Sequence, residues 1–349
     1  MEHESNLHIA LAAKNIEVFF KKLLFITVFF MPSLSGTASP KDSTIALRQN
    51  KKIDFRVLPL ANYAPETGLL VGIGEIMSFN LHEDSITHYS LITGNVAYTQ
   101  DKQDYVYLHY QFWTKNNDYY LECESDYYNY NYSYWGIGDA RVPKEVYYVR
   151  FPKIYANAYK KITSNFYMGI DYYYEDDVIV STQPGGVLSS GEITGSKGGV
   201  ISGSGIDLIY DTRDNIYFPK HGWYIKETSY FNEPQLGSTF KFGRLITDAS
   251  WYYPLSKPVV LALTQHNQLS WGEVPLNQLA LVGGIRQIRG YPSGYYRDNA
   301  LTYLQAETRI HLINRVGFVA FATMAFFGNY HTFPETPSPL FAKRGRTAL

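Results

Sequence analysis

The stretch Asn165-Phe166-Tyr167-Met168-Gly169-Ile170-Asp171-Tyr172-Tyr173-Tyr174 decides the fold. Successive side chains of an extended chain point to opposite sides. Phe166, Met168, Ile170, Tyr172 and Tyr174 therefore share one face, and Tyr167, Gly169, Asp171 and Tyr173 share the other. The same alternation sets Tyr119, Leu121 and Cys123 against Tyr120, Glu122 and Glu124. It also sets Val259, Leu261 and Leu263 against Val260, Ala262, Thr264 and His266. A soluble sandwich would turn the apolar face to a core, whereas a membrane barrel turns it to lipid and lines a wet interior with the other. Strand length separates the two. Alternating runs lie near 68–79, 87–99, 104–114, 117–128, 144–159, 164–175, 203–211, 222–232, 238–253, 258–271, 299–313 and 316–328. Many exceed the ~5–6 residues usual in soluble proteins and suit a tilted membrane crossing of ~9–11 residues. The chain therefore reads as all-β, a transmembrane antiparallel β-barrel with about twelve visible strands. The turn Asp101-Lys102-Gln103 and the long connections 176–202 and 272–298 read as the short-turn and long-loop sides of such a barrel.

Composition agrees. The 349 residues include 32 tyrosines, and aromatic residues make 16% against 18% charged. Aromatic girdles and few charges are what a lipid-facing barrel needs. A net charge of -1 lacks the basic excess of a nucleic-acid binder, so no nucleic-acid partner is expected. The single cysteine, Cys123, excludes a disulfide scaffold and a multi-cysteine zinc site.

Lys21 and Lys22 precede the apolar run Leu23 to Leu34, which is followed by Ser35-Gly36-Thr37-Ala38-Ser39. That is the plan of a signal peptide, with residues 1–38 removed after Ala38. Residues 39–67, with Pro59 and Pro65, read as an extended lead-in, and 68–330 as the barrel. Residues 331–349 read as an irregular tail, through Pro334, Pro337, Pro339 and the basic run Lys343-Arg344-Gly345-Arg346.

Catalytic motifs do not occur. There is no Gly-x-Ser-x-Gly elbow, His82-Glu83 lacks the second histidine of a zinc helix, and Gly195-Ser196-Lys197 lacks the upstream spacing of a P-loop. No enzymatic activity, no metal and no cofactor are expected. The tyrosines 127, 128, 130, 132 and 134 admit sugar stacking, but an interfacial girdle is the favoured reading.

Two segments carry more than a generic barrel. One is Gly205-Ile206-Asp207-Leu208-Ile209-Tyr210-Asp211-Thr212-Arg213-Asp214-Asn215, followed by Pro219 and Gly222-Trp223. The other is Gly283-Gly284-Ile285-Arg286-Gln287-Ile288-Arg289-Gly290-Tyr291, followed by Tyr296-Arg297-Asp298-Asn299 and Glu307-Thr308-Arg309. Over about residues 66–330 the chain resembles the bacterial surface antigen family, the barrel domain of the outer-membrane assembly and translocation superfamily. That superfamily includes the central subunit of the barrel assembly machinery and the translocators of two-partner secretion. Tyr134-Trp135-Gly136-Ile137-Gly138-Asp139 is similar to a recurrent loop of these barrels.

The resemblance implies a sixteen-stranded barrel in the outer membrane of a Gram-negative bacterium. It implies a strand-end motif at Asp211, Arg213, Asp214 and Asn215. It also implies that a loop carrying Ile288, Arg289, Gly290 and Tyr291 folds into the lumen, with Arg289 paired on the inner wall. A guanidinium in a narrow lumen needs a partner, ideally a carboxylate. Glu307 is the candidate, on the strand face of Arg309, while Leu304, Ala306 and Ile310 take the lipid face. In Phe321-Ala322-Thr323-Met324-Ala325, Thr323 stands where the family's Phe-x-Asp-x-Gly pattern places an acid.

Two departures are expected. Only residues 39–67 precede the first predicted strand, too few for the family's periplasmic polypeptide-transport-associated domains. The alternation also fades after Gly328, so the C-terminal strands of the family barrel read as missing. The implied function is insertion or passage of polypeptides at the outer membrane. Its partners would be outer-membrane lipid and unfolded outer-membrane or secreted polypeptides. The alternatives are a passive or plugged pore without a protein client, and a non-functional truncated product.

Overall fold

The structure is a computed structural model that describes residues 53–64, 67–82, 84, 86–138, 140–283, 288, 291–313, 316–328 and 347–348. The predicted signal peptide 1–38 and the basic run 343–346 lie outside the described residues.

The chain runs through β1 (Ile53–Ala64), β2 (Gly68–Phe79), β3 (Ser90–Thr99), β4 (Asp104–Trp113), β5 (Tyr119–Ile137) and β6 (Ala140–Lys161). It continues through β7 (Phe166–Ser181), β8 (Gly199–Asp211), β9 (Gly222–Asn232), β10 (Phe242–Ser256) and β11 (Val259–Gly272). Two short strands follow, β12 (Ala280–Val282) and β13 (Tyr296–Asp298), then β14 (Ala300–Ile313), β15 (Val316–Gly328) and β16 (Thr347–Ala348). β1 to β11 and β14 to β16 form one antiparallel sheet of 14 strands in chain order, while β12 and β13 pair with each other. Among the described residues there is no α-helix.

The alternation that decides the fold is realised side chain by side chain. Ile170 is 67% exposed on the outer face, and its neighbour Asp171 is 3% exposed on the inner. Met168, Tyr172, Ile206, Leu208, Leu263 and Leu304 are likewise exposed. Asp126, Asn157, Asp207 and His266 are buried on the inner face. Apolar surface outside and charge inside inverts a soluble core, and it is stable where hydrocarbon is the solvent. Curvature makes the inner face an interior. β5 and β9 are four places apart in the sheet, roughly 19 Å if it were flat. Yet Lys226 of β9 lies 3.7 Å from Glu122 of β5.

Several sequence expectations are corrected. Part of the lead-in, 53–64, is a full strand that pairs with β2 from Ile53↔Phe79 to Ala64↔Gly68. Pro59 is tolerated because β1 has one hydrogen-bonded neighbour among the described residues, and proline is compatible with an edge strand. The strands expected at 117–128 and 144–159 extend to 119–137 and 140–161. The tyrosine run is the continuation of β5, and Tyr128, Tyr132 and Tyr134 pack inside with Tyr147 and Phe151. The girdle reading therefore fails for these three. Finally, the connections after β3, β7 and β11 fall on one side of an antiparallel sheet. The turn at 101–103 thus shares its side with the two long connections.

An arginine placed on the lipid face near mid-membrane costs ~2–4 kcal/mol. Ile170→Arg is expected to lower unfolding free energy in lipid by about that amount, measured by denaturant titration of barrel migration on gels. An unchanged midpoint would mean that this face does not meet hydrocarbon.

Candidate functional site in the lumen

The inner face is built of alternate residues from long strands, so its charges come in cross-strand sets. Lys153 of β6 lies 2.8 Å from Asp126 and 3.2 Å from Glu124, both on β5. Lys226 of β9 lies 3.6 Å from Asp207 of β8. Charges removed from water need such partners.

Further sets are completed by the connection between β11 and β14, whose described residues 273–283 and 291–299 lie against this face. Its Leu276 amide donates to the carbonyl of Thr194 in the other long connection, at 2.8 Å. Asn277 accepts from the Tyr147 hydroxyl and donates to Asp177, both at 2.9 Å. Gln278 donates to Glu175 at 3.0 Å and to the Tyr173 hydroxyl at 3.2 Å. The Gln278 carbonyl accepts from Arg244 of β10 at 2.8 Å. A cavity of about 410 Å³ remains between wall and connection, lined among others by Tyr128, Tyr132, Tyr173, Glu175, Arg244 and Arg297.

Within this connection Ile288 is 1% exposed and packs with Ala280, Val282, Tyr296, Leu301, Tyr303 and Ala325. Its φ of 48° is costly for a β-branched residue, of order 1–3 kcal/mol. The burial around it offsets that strain. Tyr291 packs against the same cluster. Arg289 and Gly290 lie outside the described residues. On the wall beneath, Tyr303 faces Ala325, Gln305 faces Thr323 and Glu307 faces Phe321 in successive inward rungs. The Thr323 hydroxyl donates to Gln305 at 3.1 Å. Glu307 accepts from Arg309 at 2.6 Å. Thr323 is thus one rung from the Ile288 contact, ~7 Å, and Glu307 two rungs, ~13 Å.

The strand-end motif lies at the opposite end of the sheet, in the connection between β8 and β9. Arg213 donates to both oxygens of Asp211 at 2.9 and 2.6 Å, and its guanidinium lies 4.2 Å from the Tyr224 ring centre. Asn215 accepts from the amides of Tyr217 and Phe218 at 2.8 and 2.9 Å. Asp214 accepts from the amides of Lys220 and His221 at 2.9 and 3.2 Å. Burial works to raise the Asp214 carboxyl, but these amides and the His221 charge outweigh it and hold it below the usual carboxylate value. These four residues build a turn, and no metal cluster occurs among the described residues.

Glu175, Asp177, Arg244, Asn277 and Gln278 were not anticipated from sequence. Glu175 and Asp177 extend the parity of Tyr173 and were readable as inward positions. Nothing in the local pattern marks Asn277 or Gln278.

The family model described as the Omp85 superfamily domain matches residues 82–343. No curated protein matches the chain. Three solved structures are similar in fold. BamA from Haemophilus ducreyi lacking POTRA domains 1-3 has a TM-score of 0.51 at 19% identity, over 83% of this chain and 60% of that one. CdiB from Acinetobacter baumannii has a TM-score of 0.56 at 12% identity, over 80% and 51%. CdiB from Escherichia coli has a TM-score of 0.54 at 11% identity, over 79% and 52%. The chain therefore spans between half and three-fifths of these relatives.

Because the folded state holds Asp214 below its ordinary 3.8, the turn gains stability above that pH and loses it as pH falls through the lower folded value. Limited proteolysis of 212–221 is expected to accelerate on acidification below ~4, and Asp214→Ala to show the acid rate already at pH 7. Equal rates for wild type at pH 6 and pH 3 would contradict this.

Proposed function

The chain belongs to the Omp85 superfamily and is a Gram-negative outer-membrane β-barrel, and from that premise we propose that it handles polypeptides, inserting them into the outer membrane or passing them across it, without enzymatic chemistry. The observation that carries this reading is the chain's own connection seated on the inner wall, bonded to β5, β6, β7 and β10 through Arg297, Asn277 and Gln278. Such a seat suits a barrel that yields to a client, because a buried polar segment can be exchanged for another polar segment. The inner wall suits extended chain of mixed composition, with tyrosine rings, amides and charges of both signs.

Arg289 is proposed as the loop's contact with the β14–β15 wall. The burial of Ile288 against Tyr303 and Ala325 supports it. Thr323 with Gln305 is the nearer acceptor, while Glu307 would share its carboxylate with Arg309. Export is proposed to use residues 1–38 as a cleaved signal.

A connection seated on the inner wall also suits a plugged pore without a client, and one assay separates the two. Liposomes carrying the barrel should speed the folding of a urea-denatured outer-membrane barrel over empty liposomes. Arg289→Ala should slow this about tenfold, the worth of one charge-assisted hydrogen bond. A rate equal to that of empty liposomes, with steady conductance indifferent to Arg289→Ala, would establish the passive reading instead.

A further inference from the structure

The β5–β6 hairpin outgrows its neighbours. β4 pairs with β5 only as far as Asp104↔Asn129, and β7 pairs with β6 only as far as Tyr148↔Ser181. Beyond those rungs, among the described residues, the outer edges of the hairpin have no sheet partner for about eight residues, ~27 Å of strand. An unsupported ribbon should expose both faces, yet Tyr134 and Tyr147 are each 2% exposed. They are covered from the lumen by the long connections. Glu145 accepts the amides of Val187 and Leu188 at 2.7 and 3.1 Å.

The contact with 291–298 has an unusual reciprocity. From the connection, Arg297 reaches into the hairpin, donating to the Ser133 carbonyl at 2.9 Å with its guanidinium 5.2 Å from the Tyr134 ring centre. From the hairpin, Arg141 reaches into the connection, donating to the Tyr295 carbonyl with its guanidinium 4.5 and 4.7 Å from the Tyr295 and Tyr296 ring centres. Between them the Gly138 amide donates to the Arg297 carbonyl at 2.9 Å. Gly138 has a φ of 56°, and a Cβ there would meet Asp298 at 2.8 Å, so the close approach requires glycine. Trp135 adds a ring contact to Tyr295 at 5.3 Å. Among the described residues neither arginine has a carboxylate at ion-pair distance. Arg141 is held by a carbonyl and rings of the opposite segment, and Arg297 by the Ser133 carbonyl and Tyr134 ring of the hairpin together with the Leu276 carbonyl of its own connection at 3.5 Å. A planar guanidinium can donate in its plane and stack on its face at once, which an ammonium cannot.

We propose that Arg141 and Arg297 are positioning residues, forming a reciprocal clasp between the β5–β6 tip and 291–298 that holds the connection across the lumen, so that release of this clasp is the step that opens the barrel. The clasp acts through the connection and touches no client. It therefore stands apart from the polypeptide-handling reading.

The test is single-channel conductance of the purified full chain in planar bilayers, with folding checked by heat-modifiable migration. Arg141→Ala and Arg297→Ala should each raise the open fraction several-fold, and Arg141→Lys should behave like the alanine variant because it keeps charge without the stack. In a Cys123→Ser, Arg141→Ala background, Trp135→Cys and Tyr295→Cys bridged by a reducible bifunctional thiol reagent should return the open fraction to wild type, and reduction should release it. Wild-type conductance in both alanine variants would overturn the proposal, as would openings that the bridge does not suppress. Should the alanine variants fail to fold, the bridge in the otherwise native chain decides. It must abolish residual openings, and unchanged openings sink the idea. A barrel that passes this test but folds no client would refute the proposed function and leave the clasp standing.

Discussion

Hydrocarbon offers no partner for a backbone amide or carbonyl, and the rest of the structure follows from that. Each strand must bond to a neighbour, so the sheet runs in chain order from β1 to β15 with few interruptions. Outward side chains are mainly apolar, and most carboxylates, lysines and arginines of the strands turn inward, where they meet one another. Lys153 with Asp126 and Glu124, and Lys226 with Asp207 and Glu122, are the consequence. The connection between β11 and β14 adds further partners to this wall. Gln278 bonds to β7 through Glu175 and to β10 through Arg244, which gives the connection a fixed seat rather than a loose fit.

The two motifs most visible in the sequence do different work. Asp211, Arg213, Asp214 and Asn215 form a self-contained turn whose acceptors cap nearby amides, so their constraint is local. The segment around Ile288 is held from a distance, by Tyr303 and Ala325 on strands that follow it in the chain. It also depends on the β5–β6 hairpin, about 150 residues earlier, through the 291–298 contacts. Local motifs of this kind make a structure foldable, and long-range ones make it switchable.

Much of the fold was legible because period two is a strong signal when both solvents are extreme. The faces of Phe166 to Tyr174, and of Tyr119 to Glu124, are as the alternation requires. β1 was hidden by Pro59, which is a breaker in a central strand but not at an edge. The tyrosine run misled because an interfacial ring and a lumenal ring look alike in one dimension. The even positions 128, 130, 132 and 134 share the inward face, with the Tyr130 ring 5.1 Å from that of Tyr132. Strand parity alone places the turn at 101–103 beside the long connections, so that error was avoidable. The site itself was the least legible part. Asn277 and Gln278 acquire meaning only from what lies across the lumen, and no pattern within their own segment records it.

The central claim is that the 273–299 connection is seated on the inner wall by side-chain bonds. A double-mutant cycle between Glu175 on β7 and Gln278 in the connection, their side chains 3.0 Å apart, tests it most directly. Unfolding free energies of Glu175→Ala, Gln278→Ala and the double variant, measured in the same lipid, give the coupling. Contact predicts a coupling of at least ~0.5 kcal/mol, and possession of independent seats predicts additivity within ~0.3 kcal/mol. An additive result would mean that the connection does not rest on this wall, and the account of the lumen would fall with it.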